Sequence, residues 1–302
     1  MKIYDLIIVG AGPAGITASV YAARKRMDFL VITGDIGGQT AWSGDIENYT
    51  GYQFVTGPEL VRKFEEHMRS YDANVREAEG VTEIKKEQEI ITLKTNKEKE
   101  YRAKSIIIAT GKRSKELGVP GEKEFKNRGV SYCATCDGPL FNDKVVAVIG
   151  GGNSALDAAL QLARIARQAY IINNTLELGG DKVMRQKLEK MSNVEILNDS
   201  NLLAISGDKM VSAVTVKNGG QERRLSVEGI FVEIGLIPNS DFANVLEKNS
   251  LGEIKINNRN ETNIPGIFAA GDVTDVPGKQ IIIAAGEGSK ACLSAFRYLS
   301  RH

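Results

Sequence analysis

Cys133 and Cys136 are separated by two residues and followed at once by Asp137. That spacing lets a short turn bring two sulfurs together, and such pairs exchange electrons readily once one thiol is ionised. Thiol chemistry needs a proton donor or acceptor. Asp137 adjoins the pair and is placed either to serve as one or to cap the following turn at Gly138 and Pro139. A zinc site would need two further ligands. The chain supplies only Cys292, His67 and the terminal His302, none at ligand spacing, so no metal is expected. Cys292 lies in a helical pattern of small residues and reads as a buried hydrophobe, and His67 reads as a surface residue.

Two glycine-rich loops flank the dithiol in sequence. Gly10-Ala11-Gly12-Pro13-Ala14-Gly15 follows the apolar run Leu6-Ile7-Ile8-Val9 and opens a helix. Glycines at this spacing permit a tight turn and let backbone N–H groups approach a pyrophosphate at the helix N-terminus. Gly150-Gly151-Gly152-Asn153-Ser154-Ala155 begins 14 residues after Cys136 and repeats the pattern, with alanine in the last place. Beyond each loop, the position where an acid grips a ribose 2′-hydroxyl holds Thr33 in the first copy and Asn173 in the second. On the first motif alone, flavin and nicotinamide stay equally open. In the second, Asn173-Asn174-Thr175 offers no cation for a 2′-phosphate, and an Asn amide can bond a free 2′-hydroxyl, which favours NADH over NADPH. Arg164, Arg167, Lys182 and Arg185 lie near enough in sequence to keep NADPH open. Two nucleotide loops with a dithiol between them suggest an electron path from a nicotinamide, through a flavin, to a disulfide.

The elements that position these groups repeat in the same order. Residues 4–9 and 145–149 read as buried parallel strands, residues 16–25 and 153–167 as their helices, and residues 29–32 and 170–172 as the next strands. Each copy carries a polar antiparallel insert. In the first, residues 82–102 surround Ile90-Ile91-Thr92-Leu93. In the second, residues 211–216 and 225–232 form a hairpin around Asn218-Gly219. Glycine-terminated strands end at Ala109-Thr110-Gly111, at Gly235 and at Ala269-Ala270-Gly271-Asp272, and a last helix covers residues 286–300. The expected fold is α/β, with two Rossmann-like domains. Residues 1–114 and 244–302 form a discontinuous first domain, and residues 115–243 an inserted second one that carries the dithiol, with hinges near residues 114–118 and 236–241. A formal net charge of +1 over 302 residues gives no nucleic-acid footprint, and no apolar run is long enough for a membrane helix. With a strand beginning at once after one lysine and three cysteines in all, the reading is a cytoplasmic protein without structural disulfides.

The chain resembles the low-molecular-weight thioredoxin reductases from residue 1 to about 300. The residues that carry the likeness are the two glycine loops, Gly37-Gly38-Gln39, Glu47-Asn48-Tyr49, Ala109-Thr110-Gly111, Cys133 to Gly138, and Ala269-Ala270-Gly271-Asp272-Val273. The resemblance implies FAD in the first domain and a nicotinamide nucleotide in the second. It places Gly271 and Asp272 on the ribityl-diphosphate, and Gln39, Asn48, Gln280 and Ile281 near the isoalloxazine. Trp42 fits either beside a ring cofactor or in packing. NADPH-using members carry His-Arg-Arg where Asn173-Asn174-Thr175 stands. Lys279-Gln280-Ile281-Ile282-Ile283-Ala284 and the following helix look more like the flavoprotein component of bacterial alkyl hydroperoxide reductase. The likeness implies a homodimer that passes electrons to a separate thioredoxin or glutaredoxin-like protein by rotating one domain against the other. Cys136 is taken as the flavin-proximal sulfur, and either cysteine as the one that attacks the partner. Two rival readings are a non-nicotinamide donor such as ferredoxin and a non-catalytic flavin redox sensor.

Overall fold

In the computed structural model the described residues are 2–43, 45–46 and 48–301, with the backbone alone described for Trp42, Asp45 and Cys136. The expectations for the Trp42 ring, the Cys136 side chain, Glu47 and His302 therefore lie outside the described residues. The chain divides into two compact units, Met1–Arg113 with Ile237–His302, and Ser114–Leu236. Residues 237–243, assigned above to the inserted domain, group with the first unit. The reason is packing: Ala243 is fully buried in one cluster with Leu246 and Ile254.

Among the described residues the first unit is built on a seven-stranded sheet. Its centre is Ile3–Ala11, parallel to Phe29–Ile36 on one side and to Glu100–Ile108 on the other, with Val9 opposite both Ile32 and Ile108. Runs of isoleucine are buried on both faces here, as a covered parallel sheet requires. Glu100–Ile108 does two things along its length. Its first half pairs antiparallel with Ile90–Thr95, and its second half pairs parallel with Ile3–Ala11 and with Ile267–Ala269. The polar insert is thus continuous with the parallel sheet. The helices Pro13–Arg24 and Ile281–Leu299 cover one face. They approach closely because position 288 is glycine; a Cβ there would stand 2.0 Å from Ala14 O.

The second unit has a five-stranded parallel sheet in the order Val130–Ser131, Gly229–Val232, Val145–Ile149, Gln168–Ile172, Val194–Leu197. Beside it lies an antiparallel sheet of Ser200–Gly207, Val211–Asn218 and Gln221–Ser226. Three expectations are corrected. Residues 225–232 are not one strand: Gln221–Ser226 closes the hairpin, and Gly229–Val232 enters the parallel sheet, where the Phe141 ring leaves no room for a Cβ on Gly229. The hairpin turn is Gly219-Gly220, both with positive φ, between the paired Asn218 and Gln221. The helix after the second loop spans Asn153–Leu162 and stops short of residue 167, because Asn193 Nδ2 donates to the released carbonyls of Ala163 and Ala166.

Candidate functional site

In the first unit the glycine loop divides its labour by position. Gly10, at φ +102, and Gly15 pack backbone on backbone: a Cβ on Gly10 would lie 2.4 Å from Ala109 O, and one on Gly15 1.9 Å from Gly10 O. Gly12 is different. Its φ of −76 suits any residue and its nearest neighbour, Gly37 O, is 4.0 Å from a built Cβ. The opening in front of Gly12 is therefore space that a ligand's phosphates can fill, at the start of a helix with Pro13 at its first turn and no acid there. Ala14 is buried beneath it.

Of the other expected residues, Gly38, Ala109 and Gly271 pack against this loop, and the rest hold positions elsewhere in the same unit. Gly38 lies close to Gly12, with a built Cβ 3.7 Å from Gly12 Cα. Gln39 Nε2 donates to Lys112 O at 2.9 Å, and Asn48 Nδ2 donates to Gln280 Oε1 at 3.1 Å. Ala109 N donates to Val9 O, Thr110 Oγ1 donates to Asn239 O at 2.7 Å, and Gly111 has open space around it. Gly271, at φ +75, brings its backbone against Ala14, and Ile281 packs by Ile46, Val55 and Leu60. Thr33 is turned inward: Ala11 N donates to its hydroxyl, which donates to Asp35 O. It shapes the loop and offers the ligand nothing.

A charge cluster that sequence reasoning missed lies in the same unit. Lys112 Nζ and Lys279 Nζ meet Glu253 Oε1 at 2.9 and 3.1 Å, and Asn249 Nδ2 donates to Glu253 Oε2 at 2.6 Å. Burial would raise the Glu253 carboxyl, but the two lysines and Asn249 outweigh it and hold it down at about 2. Burial raises Asp272, with Lys279 and Lys112 opposing. Because the folded Glu253 sits below its ordinary 4.5, its stabilisation is present above that value and is lost as pH falls toward 2. Glu253→Gln is expected to cost about 2–3 kcal/mol at neutral pH and much less at about pH 3. Paired denaturant melts check this, and an equal loss at both pH values would contradict it.

In the second unit Gly150, at φ +134, leaves 2.3 Å between a built Cβ and Glu233 O, whereas Gly152 faces open space, as Gly12 does. Ala155 is buried and Ser154 exposed, and Asn153 Oδ1 accepts from Asp181 N at 2.7 Å, tying the next loop to the helix start. The expectation for Asn173 is corrected. It is buried, its Nδ2 donates to Thr175 O and Asn198 Oδ1, and its Oδ1 accepts from Thr175 Oγ1. Its amide is committed to the loop and is not free to bind a ribose. Glu177, which is exposed, supplies a carboxylate nearby; Arg185 Nη1 donates to Leu178 O and lies 3.7 Å from Glu177 Oε2.

Cys133 is disulfide-bonded and half-buried. It opens the short helix Ala134–Asp137, and Asp137 N donates to Cys133 O at 3.2 Å. The Asp137 side chain does not cap the following turn, so the capping alternative is not realised. Before the pair, fully buried Glu122 accepts from Leu117 N, Gly118 N and Tyr132 OH, each at 2.7 Å. Burial and that carboxylate raise the Tyr132 phenol well above its ordinary value. On the other side, burial and Asp157 raise the half-buried Glu233 carboxyl to about 7, against a backbone hydrogen bond from Ala134. Cys292, in the first unit, is fully buried and its thiol is pushed up to about 12. His67 is exposed beside Tyr71. Among the described residues there is no group of three His, Cys, Asp or Glu able to hold a metal, and no helix long and apolar enough to cross a membrane.

The sequence matches the family described as pyridine nucleotide-disulphide oxidoreductase over residues 4–288. Among curated relatives, a component of the alkyl hydroperoxide reductase of Pseudomonas aeruginosa is 43% identical over 305 residues, covering 99% of this chain and 58% of its own length. A protein named NADH dehydrogenase from Ferdinandcohnia aciditolerans is 40% identical over 302 residues, again with 99% and 58% covered. The chain thus spans under two thirds of the length of these relatives. Among solved structures, thioredoxin reductase of Lactococcus lactis is 37% identical, with 99% of this chain and 100% of that one covered and a TM-score of 0.88. With both glycine loops and the cysteine pair inside the matched stretch, the chain belongs to the pyridine nucleotide-disulphide oxidoreductase family and, within it, to the low-molecular-weight thioredoxin reductases.

Proposed function

We propose that the protein is a flavoprotein disulfide reductase that takes electrons from NADH, holds FAD in its first unit, and reduces a thioredoxin-like or glutaredoxin-like protein through the Cys133–Cys136 pair. One observation carries the reading: disulfide-bonded Cys133 stands on the same unit as the second glycine loop, two residues beyond the buried Ser131 strand end that the sheet positions. FAD, when bound, supplies the relay of an electron pair from the nicotinamide to the disulfide. The cradle fits it: the opening at Gly12 and the helix start at Pro13 would hold its pyrophosphate, with Gly38 close to Gly12 and Gly271 against Ala14, and the resemblance would add Asp272, Lys279, Gln280 and Asn48. The opening at Gly152 would take the nicotinamide nucleotide in the same way.

The chain's own residues handle the sulfur chemistry. Breaking the S–S bond takes two electrons and two protons; a hydride supplies the electron pair and one proton, and Asp137, next in sequence to Cys136, would relay the other from solvent. The dithiol, as thiolate, attacks the partner's disulfide, forming a mixed disulfide and releasing a partner thiolate that takes up a proton. The second cysteine then attacks the mixed disulfide, restoring the intramolecular bond and freeing the reduced partner.

NADH is favoured because the exposed groups after Gln168–Ile172 are Asn174, Thr175 and the Glu177 carboxylate, while Arg185 is engaged with Leu178 O and Glu177. A free 2′-hydroxyl suits a carboxylate, and a 2′-phosphate does not. The kcat/KM for NADH is expected to exceed that for NADPH by about tenfold or more, a difference of roughly 1.4 kcal/mol. Steady-state reduction of several thioredoxins and glutaredoxins with each nucleotide tests this; equal or reversed preference would overturn the assignment, and failure of both nucleotides to bleach the flavin would favour a ferredoxin-like donor. The proposal extends to a homodimer working in the cytoplasm, by analogy with the family.

A further inference from the structure

Glu122 is a fully buried acid that takes no part in the sulfur chemistry, yet its carboxylate joins two segments of the second unit. Leu117 N donates to its Oε1 and Gly118 N to its Oε2, and the Tyr132 hydroxyl donates to Oε1, each at 2.7 Å. Three donors at that length offset the cost of burying the group. The backbone beside it cannot give way. Ile205 N donates to Pro120 O at 2.9 Å, and Gly121, at φ +87, leaves 2.1 Å between a built Cβ and Ile205 O. Tyr132 directly precedes Cys133 and directly follows Val130–Ser131, which pairs in parallel with Gly229–Val232. The Ser131 hydroxyl accepts from Cys133 N at 3.1 Å and donates to Cys133 O at 3.2 Å. Cys133 is thus held on its N-terminal side by a strand end, a serine hydroxyl, and a tyrosine fastened to a buried carboxylate.

We propose that Glu122 is a positioning residue for the dithiol: through the Tyr132 hydroxyl it keeps Cys133 where the disulfide closes, and so favours the oxidised pair over the reduced one. Closing the pair is an intramolecular step, and its equilibrium follows the effective concentration of one thiol at the other. That concentration depends on how firmly each cysteine is held. Loosening Cys133 gives the two thiols more conformational freedom, which closing the bond must then remove. A contact that only supports the fold stabilises oxidised and reduced chains alike and leaves their ratio unchanged. The Glu122 anchor acts on the ratio itself.

The inference rests on the dithiol reading, and its test needs neither nucleotide nor partner protein. The purified full chain is equilibrated with graded mixtures of dithiothreitol and its cyclic disulfide. Two electrons and two protons pass from dithiothreitol to the Cys133–Cys136 bond, which opens to two thiols as the reagent closes. Acid quenching, alkylation of the unfolded chain and mass then give the oxidised fraction, with the free thiol of Cys292 alkylated in every sample as a reference. Tyr132→Phe keeps the ring, which packs against the cluster of Phe125 and Val130, and removes its link to Glu122. It is expected to shift the equilibrium toward the dithiol by about three- to tenfold. Glu122→Gln is expected to shift it in the same direction, which keeps the proposal testable if one variant folds poorly. Asn218→Ala cuts side-chain hydrogen bonds to Asn198 O and Ser200 Oγ in the antiparallel sheet. That variant is expected to lower the denaturant midpoint and leave the thiol equilibrium at its native value. An unshifted equilibrium in Tyr132→Phe, an equal shift in Asn218→Ala, or a pair that dithiothreitol never opens would each overturn the proposal. The expected shifts in a chain that reduces no thioredoxin would instead defeat the functional reading.

Discussion

A Cys136→Ser chain, and equally a Cys133→Ser chain, is expected to lose nicotinamide-driven reduction of protein disulfides by a factor on the order of 10³ or more, while bleaching of its flavin by NADH persists. The split follows from the division of groups between the units. Both glycine cradles survive a serine at either cysteine, since Gly12 and Gly152 lie outside the dithiol turn. Serine replaces sulfur by an oxygen that neither forms a disulfide nor ionises near neutral pH, so the covalent step has no substitute. A chain with one remaining cysteine can still form a mixed disulfide but cannot resolve it. Stopped-flow flavin bleaching and steady-state thioredoxin reduction, run on the same preparations, separate the two halves of the reaction. Retained turnover in either variant would remove the dithiol from the mechanism, and loss of flavin bleaching would show that the substitution disturbs nucleotide binding as well.

What could be read from sequence and what could not divides along a physical line. Gly10, Gly15 and Gly150 announce themselves because each sits where two backbones nearly touch, and that demand is local in sequence. The buried strands Ile3–Ala11 and Val145–Ile149 are equally legible, since both of their faces are apolar. The boundary between Gln221–Ser226 and Gly229–Val232 was not legible, because β-prone residues continue through it and only the Phe141 ring decides that position 229 must be glycine. Asn173 sat where a ribose ligand belongs, yet its amide is spent on Thr175 and Asn198, a partner 25 residues away in sequence. Glu233 and Glu253 are not legible in the sequence for the same reason. One is an acid among many until Ala134 and Asp157 are brought to it, the other until Lys112 and Lys279 are.

The first glycine loop offers the second large effect, because two of its glycines should fail in different ways. Gly15→Ala places a Cβ 1.9 Å from Gly10 O, a backbone atom that cannot swing aside, so strand and helix must separate. A cost of about 3 kcal/mol is expected, read as an earlier denaturant midpoint. Gly12→Ala meets nothing closer than 4.0 Å and keeps a φ of −76 that alanine adopts freely. Its stability should stay within about 0.5 kcal/mol of the native chain. The added methyl nevertheless stands in the opening before the helix N-terminus, where a pyrophosphate must approach the backbone N–H groups, so flavin affinity should fall at least about tenfold. The measurement is the flavin-to-protein absorbance ratio of each purified variant, taken beside its unfolding curve. A stable, fully flavinated Gly12→Ala chain would mean that the opening is not the phosphate cradle. A destabilised Gly12→Ala chain would mean that its glycine serves packing, as Gly15 does, and the assignment of FAD to this loop would lose its main structural support.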